Sequence, residues 1–413
     1  MLQYLINTSQ LTIVAAVLTG MLLGYMQRVY SMRGQKVVLI GAVVGIVLAI
    51  VMAWMKNKTK LIDTGYWNII TFSVTLVALL ALIVLDAIRR LRNKQSIAAP
   101  VAAAVIVCAL LFYALPDVLA YPYTIALSGF AVFSTDFIYR VIGMILGLIL
   151  AAVAGTAVYK VCLSLEPGLT GVLLKLALIV NSIQQISKVL NLLRAKRIIR
   201  GHFVFQIVRF TSNHSNLFIY AVLIVALVIP VLLWARSFHV NETYENAAQH
   251  RKIRAKWRST RRWSSAVIIC FVLVVLNLTA VNAYANRAVE LSPTEECELI
   301  GDSLYVPFEQ VEDGNLHRFA YTTENGVAVR FIVIKKPNSS AYGVGLDACD
   351  ICGETGYYQR GSQVVCNRCD VVMNINTIGF KGGCNPKVID YSIEDGFIIV
   401  PISTLIEHES DFK

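Results

Sequence analysis

Eight apolar runs, each close to 20 residues long, fill most of the first 284 positions: 9–27, 37–55, 66–88, 98–120, 139–163, 168–191, 215–236 and 263–284. A hydrocarbon core about 30 Å thick is crossed by about 20 helical residues. In lipid the backbone must satisfy its own hydrogen bonds, which a helix does. The runs therefore predict a multi-span α-helical membrane domain of about eight helices over residues 1–284. The stretch 121–138 is also apolar but carries Pro122, Asp136 and Arg140. It reads as a re-entrant or interfacial segment, or as a ninth span that would change the topology. No positive segment precedes the first run and further spans follow it, which argues against a cleaved signal peptide.

Charge divides the chain at the same place. Residues 1–283 hold 27 Lys+Arg against 7 Asp+Glu, and residues 284–413 hold 10 against 19. A basic excess in membrane loops answers anionic headgroups, so lipid is the partner it implies and nucleic acid is not. Basic loops follow the first span (Arg28, Arg33, Lys36) and the third (Arg89, Arg90, Arg92, Lys94), and the largest cluster lies in 237–262. The positive-inside rule makes these loops cytoplasmic, which puts the N-terminus and the acidic C-terminal part outside. Lys56, Lys58 and Lys60, and Arg194, Lys196, Arg197 and Arg200, oppose that assignment unless the sixth helix runs on as an amphipathic interfacial segment.

Residues 285–413 read as a small β-rich soluble domain. The runs 316–322, 326–335, 341–347, 363–366 and 396–402 are rich in Val, Ile, Phe and Tyr, with turn signals at Asn325-Gly326, Pro337-Asn338 and Asp395-Gly396.

The helices lack the carboxylates a cation permease needs. Before residue 240 only Asp63, Asp86, Asp117, Asp136 and Glu166 occur. Asp86 and Asp117 lie near predicted helix ends, where a solvated or capping role is the expectation; Asp136 and Arg140 are spaced for a structural ion pair. His202, His214, His239 and His250 fall in loops or at helix ends, so no pair faces another to hold a haem. Asn181, Gln184, Gln185 and Lys188 form a polar stripe, expected to bond helix to helix; a quinone contact there has no sequence support. Cys108, Cys162 and Cys270 are single core residues.

The soluble domain concentrates its chemistry in five cysteines: Cys349-x-x-Cys352, Cys366-x-x-Cys369 and Cys384, the last preceded by Gly382-Gly383 and followed by Asn385-Pro386. Each Cys-x-x-Cys knuckle brings two thiolates to one centre about 2.3 Å away. Four thiolates suit zinc, a single iron or an iron–sulfur cluster. Cys384 exceeds what a four-ligand site needs, and Cys297 is a candidate disulfide partner for it. His317 is a lesser candidate ligand, and His408 reads as solvated in a charged tail. Knuckles without a surrounding βαβ pattern speak against a thiol–disulfide exchanger.

The stretch Gly345-Leu346-Asp347-Ala348-Cys349-Asp350-Ile351-Cys352, with Gly356-Tyr357-Tyr358-Gln359, Val365-Cys366-Asn367-Arg368-Cys369 and Gly382-Gly383-Cys384-Asn385-Pro386, resembles the FtrD-like membrane iron–sulfur proteins of bacteria. The resemblance spans most of residues 300–405, and Cys297 lies outside its motif. It implies Cys349, Cys352, Cys366, Cys369 and Cys384 as metal ligands, holding an iron–sulfur cluster or mononuclear iron, with zinc or copper as alternatives. It further implies a multi-pass protein of the bacterial inner membrane that serves electron transfer in ferrous-iron uptake. The partners would be an iron permease and a periplasmic metal-binding protein. An electron-transfer component is favoured over a stand-alone enzyme; the other reading is a structural zinc or metal-delivery module on a membrane scaffold. Clusters are normally built in the cytosol, so an extracytoplasmic domain is easier to reconcile with a single ion.

Overall fold

The computed structural model describes residues 1–58, 64–92, 96–127, 135–196, 198–199, 202–240, 242–285, 290–337, 339–350, 352–361, 363–368, 371–380 and 385–412. The chain forms two compact units, Met1–Ala285 and Asn286–Lys413.

The first unit is helical: α1 (Leu2–Lys58), α2 (Thr64–Arg92), α3 (Ala98–Leu127), α4 (Thr135–Cys162), α5 (Pro167–Ala195), α6 (His202–Asn213), α7 (Ser215–Arg236) and α8 (Ala247–Leu276), which continues through a π-turn, Asn277–Val281, to Ala285. Seven of these are long and apolar enough to cross a membrane. The longest supplies two crossings. At 57 residues α1 would extend about 85 Å if straight, but it breaks at Ser31, whose φ of 60° and ψ of −167° leave the helical region. Its packing shows the chain reversing there. Before the break, Tyr4 meets Tyr121 while Val14 lies near Leu110, an antiparallel pairing with α3. After it, Gly41 abuts Ala104, Gly45 abuts Cys108 and Lys56 pairs with Asp117, a parallel one. Eight membrane-length segments result among the described residues, in agreement with the sequence.

Small residues set the spacing. A Cβ on Gly155 would come 2.7 Å from the Ala16 carbonyl oxygen, and one on Gly45 2.8 Å from that of Cys108, so these backbones touch as small-residue seams allow. Gly155→Leu is expected to cost about 1–3 kcal/mol by overpacking, seen as a lower midpoint when folded protein in detergent is heated. Outward, Val43, Val47, Ile50 and Trp54 form an exposed apolar face suited to lipid.

Two expectations change here. The basic stretch 251–262 is not loop but the first half of α8, which starts at Ala247 behind an Asn246 cap. Thr260 and Ser164 meet through their hydroxyls and Arg261 binds Ser237, so this part of α8 lies at the end of the bundle opposite the N-terminus. The 25 residues from there to Ala285 rise about 38 Å and return the chain to the N-terminal end. Asp86, expected to be solvated, is 1% exposed. It accepts hydrogen bonds from Tyr25 (2.7 Å) and Arg89 (3.0 Å) and pairs with Lys175. Burial of a carboxylate in a bundle is tolerable only with such partners.

Residues 121–127 continue α3 and residues 135–140 begin α4, so this stretch holds the ends of two helices and no ninth crossing among the described residues. The Asp136 side chain lies outside the described residues. After α5 comes not a continuation but a separate short helix, α6, with Phe203, Ile207 and Phe210 on one exposed face and Ser187 of α5 bonded to Thr211. Cys162 and Cys270 are buried as core residues.

The second unit contains ten strands among the described residues: β1 (Glu298–Ile300), β2 (Ser303–Pro307), β3 (His317–Thr322), β4 (Ala328–Lys335), β5 (Tyr342–Leu346), β6 (Tyr357–Arg360), β7 (Gln363–Cys366), β8 (Val372–Met373), β9 (Ser392–Glu394) and β10 (Phe397–Pro401). They form three antiparallel sheets, ordered β1-β2-β10-β9, β3-β4-β5 and β6-β7-β8. Strand β4 explains its own unbroken apolar sequence. Phe331 and Val333 enter one core with Val344, Leu346, Ile398 and Val400, while Ile332 and Ile334 face the opposite way into a second. That second core contains Cys349, Cys352 and Cys366 with Tyr357, Val364, Met373 and Ile378. The candidate site is thus built on the far face of the central sheet and covered by the β6-β7-β8 sheet.

Candidate metal centre

Cys349, Cys352 and Cys366 are all buried, and their Sγ atoms lie within 4.8 Å of one another. Cys369 and Cys384 lie outside the described residues, as do Gly382 and Gly383. A tetrahedron with metal–sulfur bonds of about 2.3 Å has an edge of about 3.8 Å, and sulfurs within 4.8 Å of one another are near enough to share one centre. The donor set fits a thiophilic metal.

Each knuckle is positioned by backbone bonds. Cys349 follows β5 and forms a bridge with Gly353, N–H to carbonyl in both directions at 3.2 and 2.9 Å. Gly353 adopts φ +68°, which closes the turn. Within that turn the Cys352 amide donates to Cys349 Sγ at 3.1 Å, which orients the sulfur. Cys366 ends β7, and its amide donates to the Val371 carbonyl at 3.0 Å.

The second knuckle is stitched to the first. Asn367 donates from its amide to Gly356 O (2.9 Å) and from its side chain to Thr355 O (3.2 Å), and Arg368 donates to Cys352 O (3.2 Å). The chain beyond Cys384 is tied in as well. Lys387 donates to Ala348 O at 3.0 Å and accepts from Leu346 N at 2.8 Å. Gly345 permits this approach, since a Cβ there would come 2.9 Å from Pro386.

Beneath the knuckles sits a buried ion pair that sequence reading missed. Arg318 is 1% and Asp347 0% exposed. Arg318 Nε donates to Asp347 Oδ2 at 2.8 Å, Nη1 donates to Ser292 O at 2.6 Å, and Nη2 binds the Tyr357 carbonyl. Asp347 also accepts from Arg330 Nε (3.2 Å) and the Tyr357 amide (2.8 Å). Tyr357 in turn reaches the site through a hydrogen bond between its hydroxyl and Cys349. Burial, and then the Cys349 and Cys366 sulfurs, push its phenol above the ordinary value, so it stays protonated and donates. The available signal was an arginine within a strand pattern and an aspartate two residues before the first cysteine.

The remaining candidates separate from the cluster. Cys297 is half-buried and has a free thiol among the described residues, and burial pushes that thiol up; Cys384, its candidate disulfide partner, lies outside the described residues. His317 is not a free ligand: Nδ1 meets Glu295 at 3.0 Å and Nε2 meets Asp313 at 2.8 Å. His408 contacts Asp411 at 3.0 Å.

The His317 contacts predict a pH response. Burial opposes the imidazolium, yet the bonds to Asp313 and Glu295 outweigh it and raise His317 above 6.5. For Asp313 burial opposes charge, and the bonds from His317 and Asn315 outweigh it, lowering the carboxyl from 3.8 to about 2. A raised histidine contributes stability fully below its unfolded value, lost as pH rises through the folded one. A lowered aspartate contributes above its unfolded value, lost as pH falls through the folded one. Thermal unfolding of the Asn286–Lys413 unit should therefore show this contribution in full between pH 3.8 and 6.5. In His317→Gln the decline on the alkaline side should flatten.

Fold and site together define a multi-pass membrane protein carrying a β-rich domain with a cysteine cluster able to hold a metal. Residues 311–412 match the family model described as membrane iron-sulfur containing protein FtrD-like. The match covers about a quarter of the chain and bears out the resemblance over those residues. No curated protein and no solved structure matches the chain.

Proposed function

We propose that this chain is a membrane-anchored redox protein that binds a metal through Cys349, Cys352, Cys366 and Cys369 and serves electron transfer in a bacterial iron-uptake system. The observation that carries this reading is the convergence of three buried sulfurs inside 4.8 Å in a segment that matches an iron–sulfur family. Cys369 lies three residues after Cys366, within reach of the same centre, and is assigned as the fourth thiolate. Cys384, three residues before the Lys387 anchor on Ala348, is the fifth candidate. Bound iron would supply reversible one-electron exchange. The chain's own residues exclude water, hold the thiolates together and donate N–H and O–H to the Cys349 sulfur, an arrangement that favours the more reduced, more negative state.

The placement follows from charge. Most basic residues, among them Arg28, Arg33, Arg89, Arg251, Arg254 and Arg258, belong to the bundle end opposite the N-terminus and outnumber Lys56, Arg194 and Lys196 at the other end, so the positive-inside rule favours that end as cytoplasmic. The cysteine unit is then extracytoplasmic, where an iron permease and a periplasmic metal-binding protein would be its partners. Three sulfurs within 4.8 Å suit a single ion, zinc as much as iron, and this supports a second reading, a structural zinc or metal-delivery module.

Anaerobic purification of the full chain, with metal analysis and EPR before and after dithionite, tests the proposal. Iron with a reversible signal is the expected result. Stoichiometric zinc without a redox signal would overturn electron transfer and leave the zinc module.

A further inference from the structure

Helix α5 carries Asn181, Gln184, Gln185 and Lys188 at i, i+3, i+4 and i+7, so all four share one face. That face lines a cavity of about 270 Å³ between α1, α3, α5 and α7, within the membrane-spanning unit. One water needs about 10–15 Å³ of such space, so the cavity is large. Part of the stripe bonds helix to helix, as the sequence suggested: Lys188 Nζ donates to the Tyr113 hydroxyl at 2.7 Å and Gln184 to the Ser215 carbonyl at 3.4 Å. The rest does not. Asn181 Nδ2 and Gln185 Oε1 have no partner, although the residues are 5% and 4% exposed. Buried groups of this kind are ordinarily satisfied.

We propose that this cavity binds the headgroup of a membrane quinone or quinol. Asn181 and Gln185 line the cavity with side-chain amides, each able to donate and to accept, so a ligand that does both suits it; the oxygens of a quinone accept, and the hydroxyls of its quinol do both. The described lining holds one cation and no carboxylate, a poor match for a metal ion. Val14, Leu110 and Ile219 supply apolar wall for a ring. The inference goes beyond the redox reading above and does not depend on the cysteine centre.

The test is calorimetric titration of the full-length protein in detergent with decylubiquinone, for the wild type, Asn181→Leu and Gln185→Leu. Saturable binding near one per chain is expected, weakened at least tenfold in each variant. The ligand-free variants should melt no lower than the wild type, since each loses a polar atom that had no partner. Where leucine disturbs packing, Gln185→Met preserves the shape and should show the same loss. Absence of saturable binding to the wild type, or wild-type affinity in both variants, overturns the proposal. So does displacement of the quinone by phosphatidylglycerol, which would mark a lipid-headgroup site. Metal content plays no part in the readout, so failure here leaves the cysteine site untouched.

Discussion

Asp347→Ala is expected to cost the Asn286–Lys413 unit about 3–5 kcal/mol, the usual penalty for removing one partner of a buried ion pair. The cause is Arg318, which is 1% exposed and would keep its charge with no carboxylate to answer it. Its remaining bonds, to Ser292 and the Tyr357 carbonyl, satisfy N–H groups but supply no countercharge. The Tyr357 amide would also lose its acceptor. Domains of this size hold about 5–15 kcal/mol in total, so the variant retains a fraction of its stability. A melting point lower by roughly 10–20 °C is the expected readout. The double variant Arg318→Met, Asp347→Leu should recover part of that loss, because replacing both charges with apolar groups removes the uncompensated one. Recovery will be incomplete, since the Tyr357 amide stays unpaired. If the double variant melts lower than either single one, the penalty does not arise from the orphaned charge.

How much of this was legible in the sequence depended on whether the signal was local. Apolar length reveals a spanning helix directly, and the eight segments were readable for that reason. The turn at Ser31 was readable only as a break between two runs; the antiparallel packing of the two halves of α1 came from which faces meet α3. The strands β3, β4, β5, β7 and β10 announced themselves by β-branched and aromatic runs between turns such as Asp395-Gly396, where φ is 47° and 84°. The edge strands β1, β8 and β9 are only two or three residues long and carry too short a pattern. Asp86 was misjudged because Tyr25 and Lys175, which bury and pair it, lie 61 and 89 residues away. Asp347 escaped notice for the same reason: its partner Arg318 is 29 residues distant. The cysteine knuckles were visible because ligand spacing is local, whereas their mutual approach required the sheet pairing Tyr357↔Cys366. The stripe on α5 shows the boundary most clearly. Its periodicity was plain, but whether its amides met other helices or empty space was a property of the packing.

Cys366→Ser is expected to reduce bound metal by at least tenfold, and a cysteine outside the cluster provides the comparison. Cys366 occupies one corner of the three-sulfur group, and serine replaces a soft thiolate by a hydroxyl that remains protonated and binds a thiophilic metal poorly. Cys297→Ser alters a half-buried thiol that belongs to no such group and should leave metal content unchanged. Stability should follow the metal, because binding energy at a structural site is folding energy; for zinc-finger peptides it reaches about 10–16 kcal/mol. A domain of about 130 residues with its own apolar core should survive partial loss, so Cys366→Ser is expected to remain folded and melt lower. A chelator added to the wild type should lower the melting point to that of the variant, and should move the variant no further. Equal metal content in Cys366→Ser and the wild type would place the metal elsewhere. Loss of metal in Cys297→Ser as well would mean that the domain as a whole, rather than the knuckles, governs retention. The order of effects follows from position: Cys349 accepts the Cys352 amide and the Tyr357 hydroxyl, so Cys349→Ser should be at least as damaging as Cys366→Ser.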